Sequence, residues 1–141
     1  MAQGRPYQAY QTAQVKTSNQ KQLIIMLYDG MDKYLNRAVK SIKEGDIESA
    51  HSYMHRTGQI LLELLSTLRE DKGGEIAGNL KRLYVFCYEQ VVIANLKKDV
   101  RMIREIQTVL ANLKDAWKQI GQKNVQLKTG TDSLQKIRVT G

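Results

Sequence analysis

The chain has one cysteine and one proline in 141 residues, and no apolar run longer than six residues. Each scarcity excludes something. A single cysteine, Cys87, closes no internal disulfide, and its place inside an apolar run makes it a small core hydrophobe of a reducing compartment. The lone proline, Pro6, leaves everything after it free to form long helices. The six-residue apolar runs, 23–28 and 83–88, fall far short of the ~20 residues that span a bilayer. The first residues, Met-Ala-Gln-Gly-Arg-Pro, lack the apolar stretch of a secretory signal. These absences predict one cytoplasmic domain with no membrane insertion.

Histidine is nearly as scarce, which limits the chemistry. Glu48-Ser49-Ala50-His51 has the Glu-x-x-His spacing of carboxylate-bridged di-iron bundles, but that centre needs a second such pair on another helix. The only other histidine, His55, sits on the same helix, and Ser-Tyr-Met between the two leaves no glutamate base for a zinc-protease motif. Both histidines read as surface residues. Gly73-Gly74 and Gly78 precede no Lys-Ser/Thr pair and so make no phosphate loop. No catalytic constellation, metal site or cofactor site emerges, and the expectation is a protein that binds rather than reacts.

What is present is helical period. Residues 1–16 hold the proline and no sustained pattern, and read as an extended arm with apolar anchors at Tyr7, Tyr10 and Val15. Thr17-Ser18-Asn19-Gln20 is a capping box for a first helix whose apolar face is Leu23, Leu27, Met31, Tyr34, Leu35, Ala38 and Ile42. Gly45 stops it, and Asp46 caps a second helix carrying Ile47, Ala50, Met54, Thr57, Leu61, Leu64, Leu65 and Leu68 up to Gly73-Gly74. A third helix runs from about Ile76 to Lys97, and Asp99 caps a fourth with Val100, Ile103, Ile106, Val109, Leu110, Leu113 and Trp117 inward and Gly121 at its end. Four helices joined by tight turns predict an all-α, antiparallel, up-down-up-down four-helix bundle over 17–121. The tail, 122–141, is polar with net charge +3 and suits either a short C-terminal fifth helix or ordering only on binding.

The third helix carries more apolar surface than one buried face needs. Eleven of the fourteen residues from Leu83 to Leu96 are apolar or aromatic, where about three positions in seven suffice for a bundle core. At ~100° per residue, Ile76, Leu80, Leu83, Cys87, Val91 and Ala94 make one face. Tyr84, Tyr88, Val92 and Asn95 are left as a second stripe, with Val85 and Leu96 beside it and Phe86 and Ile93 further round. That surplus predicts a partner-binding groove at Tyr84, Val85, Tyr88, Val92, Asn95 and Leu96, with the arm as its movable cover. The net charge of +8 supports a rival reading, a basic helical module for nucleic acid or another acidic partner. The basic residues are scattered and mostly paired with acidic ones, so solvated helix surface is the reading preferred here, with no nucleic acid expected.

An ordered set of residues resembles the flagellin-specific export chaperones, the FliS family. It comprises Leu23-Ile24-Ile25-Met26-Leu27-Tyr28-Asp29-Gly30, then Gly73-Gly74, Ile76-Ala77, Asn79-Leu80 and Leu83-Tyr84, then Ala94-Asn95 with Asp99. Glu105-Ile106, Val109-Leu110, Leu113 and Ala116-Trp117 follow, and Tyr7, Tyr10-Gln11, Val15 and Thr17 precede. The resemblance implies a helical bundle that holds the disordered C-terminal segment of flagellin in the cytosol, prevents premature polymerisation and delivers it to the flagellar type III secretion apparatus. It further implies that the arm leaves the groove when flagellin binds, or that Tyr7, Tyr10 and Val15 dock the loaded chaperone on an export-gate component. An assembly factor or an anti-sigma factor is a further candidate for the same groove.

Overall fold

The computed structural model describes residues 20–68 and 70–122. The arm anchors Tyr7, Tyr10 and Val15, the Thr17 cap and the expected fifth helix all lie outside the described residues. Within them the chain forms four helices: α1 (Gln20–Lys43), α2 (Ile47–Ser66), α3 (Glu70–Lys97) and α4 (Val100–Gln122). Each packs against two neighbours in the closed order α1, α2, α3, α4 and back to α1, and no strand occurs among the described residues. This is the four-helix bundle expected.

The two tight connections share one design. At the end of α1, Gly45 takes a left-handed backbone (φ +77°), its N–H meets the Ile42 carbonyl at 3.0 Å, and the Asp46 N–H meets the Ser41 carbonyl at 2.8 Å. Asp46 then caps α2, accepting from the Ser49 N–H at 3.1 Å. Those hydrogen bonds favour the carboxylate and hold the Asp46 acid below its usual range. At the end of α3, Lys98 and Asp99 repeat this, with Lys98 at φ +51° and Asp99 accepting from the Met102 N–H at 3.2 Å. Each aspartate closes one helix with its backbone and opens the next with its side chain.

The α2–α3 connection differs from expectation. α2 ends at Ser66, not near Gly73, because the Thr67 N–H and hydroxyl both take the Leu64 carbonyl, at 3.1 and 2.7 Å. Leu68, outside the helix, still packs on the core. Gly74 is a kink inside α3, with φ +57° and ψ −135°.

The core is a set of seams with alternating three- and four-residue spacing. α1 buries Ile24, Tyr28, Met31, Leu35 and Ala38; α2 buries Ala50, Met54, Thr57, Leu61 and Leu64; α3 buries Ala77, Leu80, Tyr84, Cys87, Val91 and Ala94; α4 buries Ile103, Ile106 and Leu110. That spacing is the heptad signature of helices crossing at about 20°. It shifts the inner half of α1 by one residue, so Ile24 and Tyr28 point inward and Leu27 packs at the margin. Thr57, fully buried, returns its hydroxyl to the Tyr53 carbonyl at 3.0 Å and leaves no unpaired donor.

Candidate functional site

The α3 helix has two faces of different character. Its inner seam includes Tyr84, which corrects the expectation that Tyr84 lies on the leftover stripe with Leu83 inward. Tyr84 is 1% exposed, and Leu83 is 39% exposed. The physical reason is a partner for the phenol. Tyr84 and Tyr28, on helices facing one another diagonally across the bundle, share a hydrogen bond between their hydroxyls at 2.8 Å. A buried phenol with a partner is tolerated where an orphaned one would cost about 1–3 kcal/mol. Burial, followed by its neighbour's charge and hydrogen bond, pushes the Tyr28 phenol well above the ordinary range. Burial dominates at Tyr84 as well, over the opposing hydrogen bonds from Tyr28 and Trp117. Burial alone pushes the neighbouring Cys87 thiol up to about 11, so it is an inert core group.

The remaining predicted residues stay on or near the surface. Tyr88 is half-buried because its ring lies over Gly58 of α2: a Cβ on Gly58 would stand 3.2 Å from Tyr88 Cε1. Asn95 is also half-buried and faces α2, where its side-chain amide donates to His51 Nδ1 at 2.9 Å. The Asn95 side-chain oxygen in turn accepts from Lys98 Nζ at 2.9 Å. Accepting at Nδ1 leaves the neutral His51 ring protonated on Nε2. Val85, Val92 and Leu96 are exposed, Leu96 by 80%. Phe86, Ile93 and Leu83 continue the apolar surface around the helix toward α4. Leu83 and Tyr84 have exchanged roles, and the other five predicted groove residues adjoin one another along α3.

Two contacts fix the antiparallel register here, Gly58 against Tyr88 and His51 against Asn95. The same register brings Leu62 of α2, itself exposed, alongside Val85. Leu62 lies off the apolar face that the sequence marks on this helix, and only the register reveals its place. The result is a mainly apolar band along the outside of α3, with exposed Glu89 within it, Leu62 on its α2 margin and the Asn95–His51–Lys98 polar cluster at its end. It holds no acid–base pair or nucleophile poised for chemistry. Among the described residues no group of His, Cys, Asp or Glu could hold a metal ion. No helix of the described residues is long and apolar enough to cross a membrane. What this surface offers is apolar area for another chain.

The family model for the flagellar protein FliS matches residues 1–124. The flagellar secretion chaperone FliS of Bacillus subtilis is 31% identical over 134 residues, covering 95% of this chain and 99% of that protein. Its Salmonella typhimurium counterpart is 36% identical over 110 residues, covering 77% of this chain and 82% of that one. The protein of the same name from Campylobacter jejuni is 35% identical over 114 residues, covering 81% and 89%. With that coverage, and with four helices whose third carries a surplus apolar face, the chain belongs to the FliS family of flagellar secretion chaperones.

Proposed function

We propose that the apolar band on α3 receives the C-terminal segment of flagellin in the cytosol, keeps it from polymerising and hands it to the flagellar export gate. The observation that carries this reading is the outward exposure of Leu83, Val85, Phe86, Val92, Ile93 and Leu96 on a helix whose inner seam already completes the core. Contiguous apolar surface of this kind marks a protein-interaction site. A disordered client that folds as it docks buries such a surface while satisfying its own backbone in helix. Tyr88, Val92 and Leu96 supply apolar contact, and Asn95 supplies a polar end-stop. Residues 1–16, through Tyr7, Tyr10 and Val15, compete for the same band in the free protein, so client binding carries the cost of displacing them.

Calorimetry with the isolated C-terminal segment of flagellin tests this. Apolar docking gives a negative heat-capacity change and weak salt dependence. Affinity that falls by orders of magnitude between about 50 and about 200 mM salt would favour the basic-module reading instead. Deleting residues 1–16 should raise affinity for the segment and increase self-association of the free protein. If neither changes, the arm is no cover; if affinity falls, the arm is part of the site.

A further inference from the structure

The α1–α2 seam carries a second surface, unlike the band on α3 and independent of it. Tyr34 and Tyr53 stack with ring centroids 6.1 Å apart and planes at 25°. The Arg56 guanidinium carbon lies 5.7 Å from the Tyr34 centroid and 6.0 Å from that of Tyr53, and the Arg37 carbon lies 5.9 Å from Tyr53. Both arginines are exposed and both tyrosines half-buried. Among the described residues neither guanidinium has a carboxylate, amide or carbonyl partner. Arg104, by contrast, is tied at 2.9 Å to Asn36 and at 2.7 Å to Gln107. No aspartate or glutamate occurs between Lys33 and Lys43 on α1, or between Ser49 and Leu62 on α2. Lys33 and Lys40, both exposed, extend the Arg37 stripe by one turn in each direction.

A guanidinium held over an aromatic ring keeps its planar fork of N–H donors, which can grip a carboxylate with two hydrogen bonds. Two such groups on one tyrosine pair, in a carboxylate-free strip, form a site complementary to carboxylates. We propose that the Arg37/Arg56 platform on Tyr34 and Tyr53 docks an acidic segment of a partner protein, with carboxylates about one helical turn apart. The platform suits a peptide better than a nucleic acid. The tyrosine rings are stacked on each other and flanked by the guanidinium groups, so they offer little free ring face to a base, and the basic strip is only about two turns long.

The test is fluorescence anisotropy of a labelled peptide of repeated Glu-Ala-Ala-Glu units against the full-length chain at about 50 mM salt. Arg37→Gln/Arg56→Gln should lose about tenfold or more in affinity with unchanged circular dichroism and melting temperature. Lys97→Gln/Arg101→Gln, which removes the same charge from the α3–α4 turn, should change it by less than about twofold. Arg37→Lys/Arg56→Lys keeps the charge and should still lose most of the binding, because the ammonium has no planar fork. Equal losses in the two Gln pairs, or full retention in the Lys pair, would reduce the platform to net charge and overturn the proposal. So would a single-stranded oligonucleotide that displaces the peptide and is itself released by Arg37→Gln/Arg56→Gln, since the seam would then be a nucleic-acid site. Absence of peptide binding overturns it as well.

Discussion

The α1–α4 seam and the outside of α3 meet solvent in opposite ways. Along the first, Gln107 donates to Asp32 and Asn36 at 3.0 and 2.9 Å, Arg104 joins Asn36 to Gln107, and Lys114 pairs with Asp29. Polar side chains there satisfy one another and close the bundle. Along the second, Val85, Val92 and Leu96 stand in water, with exposed Glu89 on the same face and the Asn95 cluster at its α2 side. A bundle of this size can therefore finish its surface with polar ladders, and α3 is not apolar outside for want of an alternative. Its inner seam, Ala77 to Ala94, is complete without those side chains. If the proposed function holds, inner residues serve stability and outer ones binding, and substitutions on one helix can test whether the two jobs separate.

The largest expected effect lies on the inner seam. Tyr84→Ala removes a fully buried ring and strands the Tyr28 hydroxyl, so it should destabilise the bundle by about 3–5 kcal/mol. Val92→Ser, two turns along on the outer face, should stay within about 1 kcal/mol. Urea unfolding of the two variants measures both, and similar losses would break the division. Next comes an alkaline transition. The Cys87 thiol is raised from 9.0 to about 11 in the folded state, so the unfolded chain gives up its proton first. Stability from this group is complete below pH 9 and drains away as pH rises through 11, on the order of 2–3 kcal/mol. Tyr28 and Tyr84, also raised, add their own loss above 10. Cys87→Ala should move the onset of the decline upward, and an unchanged onset would place the titration elsewhere.

The bundle itself was legible from helical spacing and turn chemistry, because Gly45, Asp46 and Asp99 announce their roles locally. The exchange of Leu83 and Tyr84 departs from the expectation, although its signal is present in the sequence. Ala77, Leu80, Tyr84, Cys87, Val91 and Ala94 alternate in steps of three and four, whereas the face through Leu83 takes two successive steps of four around Cys87. A strict heptad count selects Tyr84, and the same count selects Ile24 and Tyr28 in α1. What no single-helix pattern contains is the cross-core bond between Tyr28 and Tyr84, which makes a phenol acceptable in the seam. Nor does it contain the α2–α3 register that sets Leu62 beside Val85 and lays Tyr88 over Gly58. Those depend on how two helices meet, and the chain spells them out only when folded.

Smaller in energy but closer to function is the outer face. Burying a valine or leucine side chain contributes about 1.5–3 kcal/mol, so Val92→Ser and Leu96→Ser should each weaken flagellin-segment binding about ten- to a hundred-fold. Tyr88→Ser sits between the two classes. Its ring is half-buried over Gly58, so it should lower both affinity and melting temperature. Calorimetric affinity plotted against melting temperature for Tyr84, Tyr88, Val92 and Leu96 variants should order them from inner to outer. A single line relating the two quantities would mean that α3 has no separable binding face.

The smallest effect separates the two turns, one of which ends α3 beneath the Asn95 cluster. Both place a residue in the left-handed region, Gly45 at φ +77° and Lys98 at φ +51°. Glycine takes that conformation freely, whereas a side-chain-bearing residue is strained there. At Gly45 no atom lies within 4 Å of an added Cβ, so Gly45→Ala meets no clash, and its cost of about 1 kcal/mol is backbone strain alone. At Lys98 the strain is offset, because Lys98 Nζ donates to the Asn95 carbonyl at 2.7 Å and to its side-chain oxygen at 2.9 Å. Lys98→Gly relieves the strain and forfeits both bonds, so stability should move by only about half a kcal/mol or less. It should also release Asn95 from one of its two side-chain partners and loosen the polar end of the binding band. Chemical denaturation gives the stabilities, and the Asn95 side-chain amide resonances report its order. A gain of a full kcal/mol in Lys98→Gly, with Asn95 unchanged, would show that the lysine grip contributes nothing and that the two turns differ only in strain.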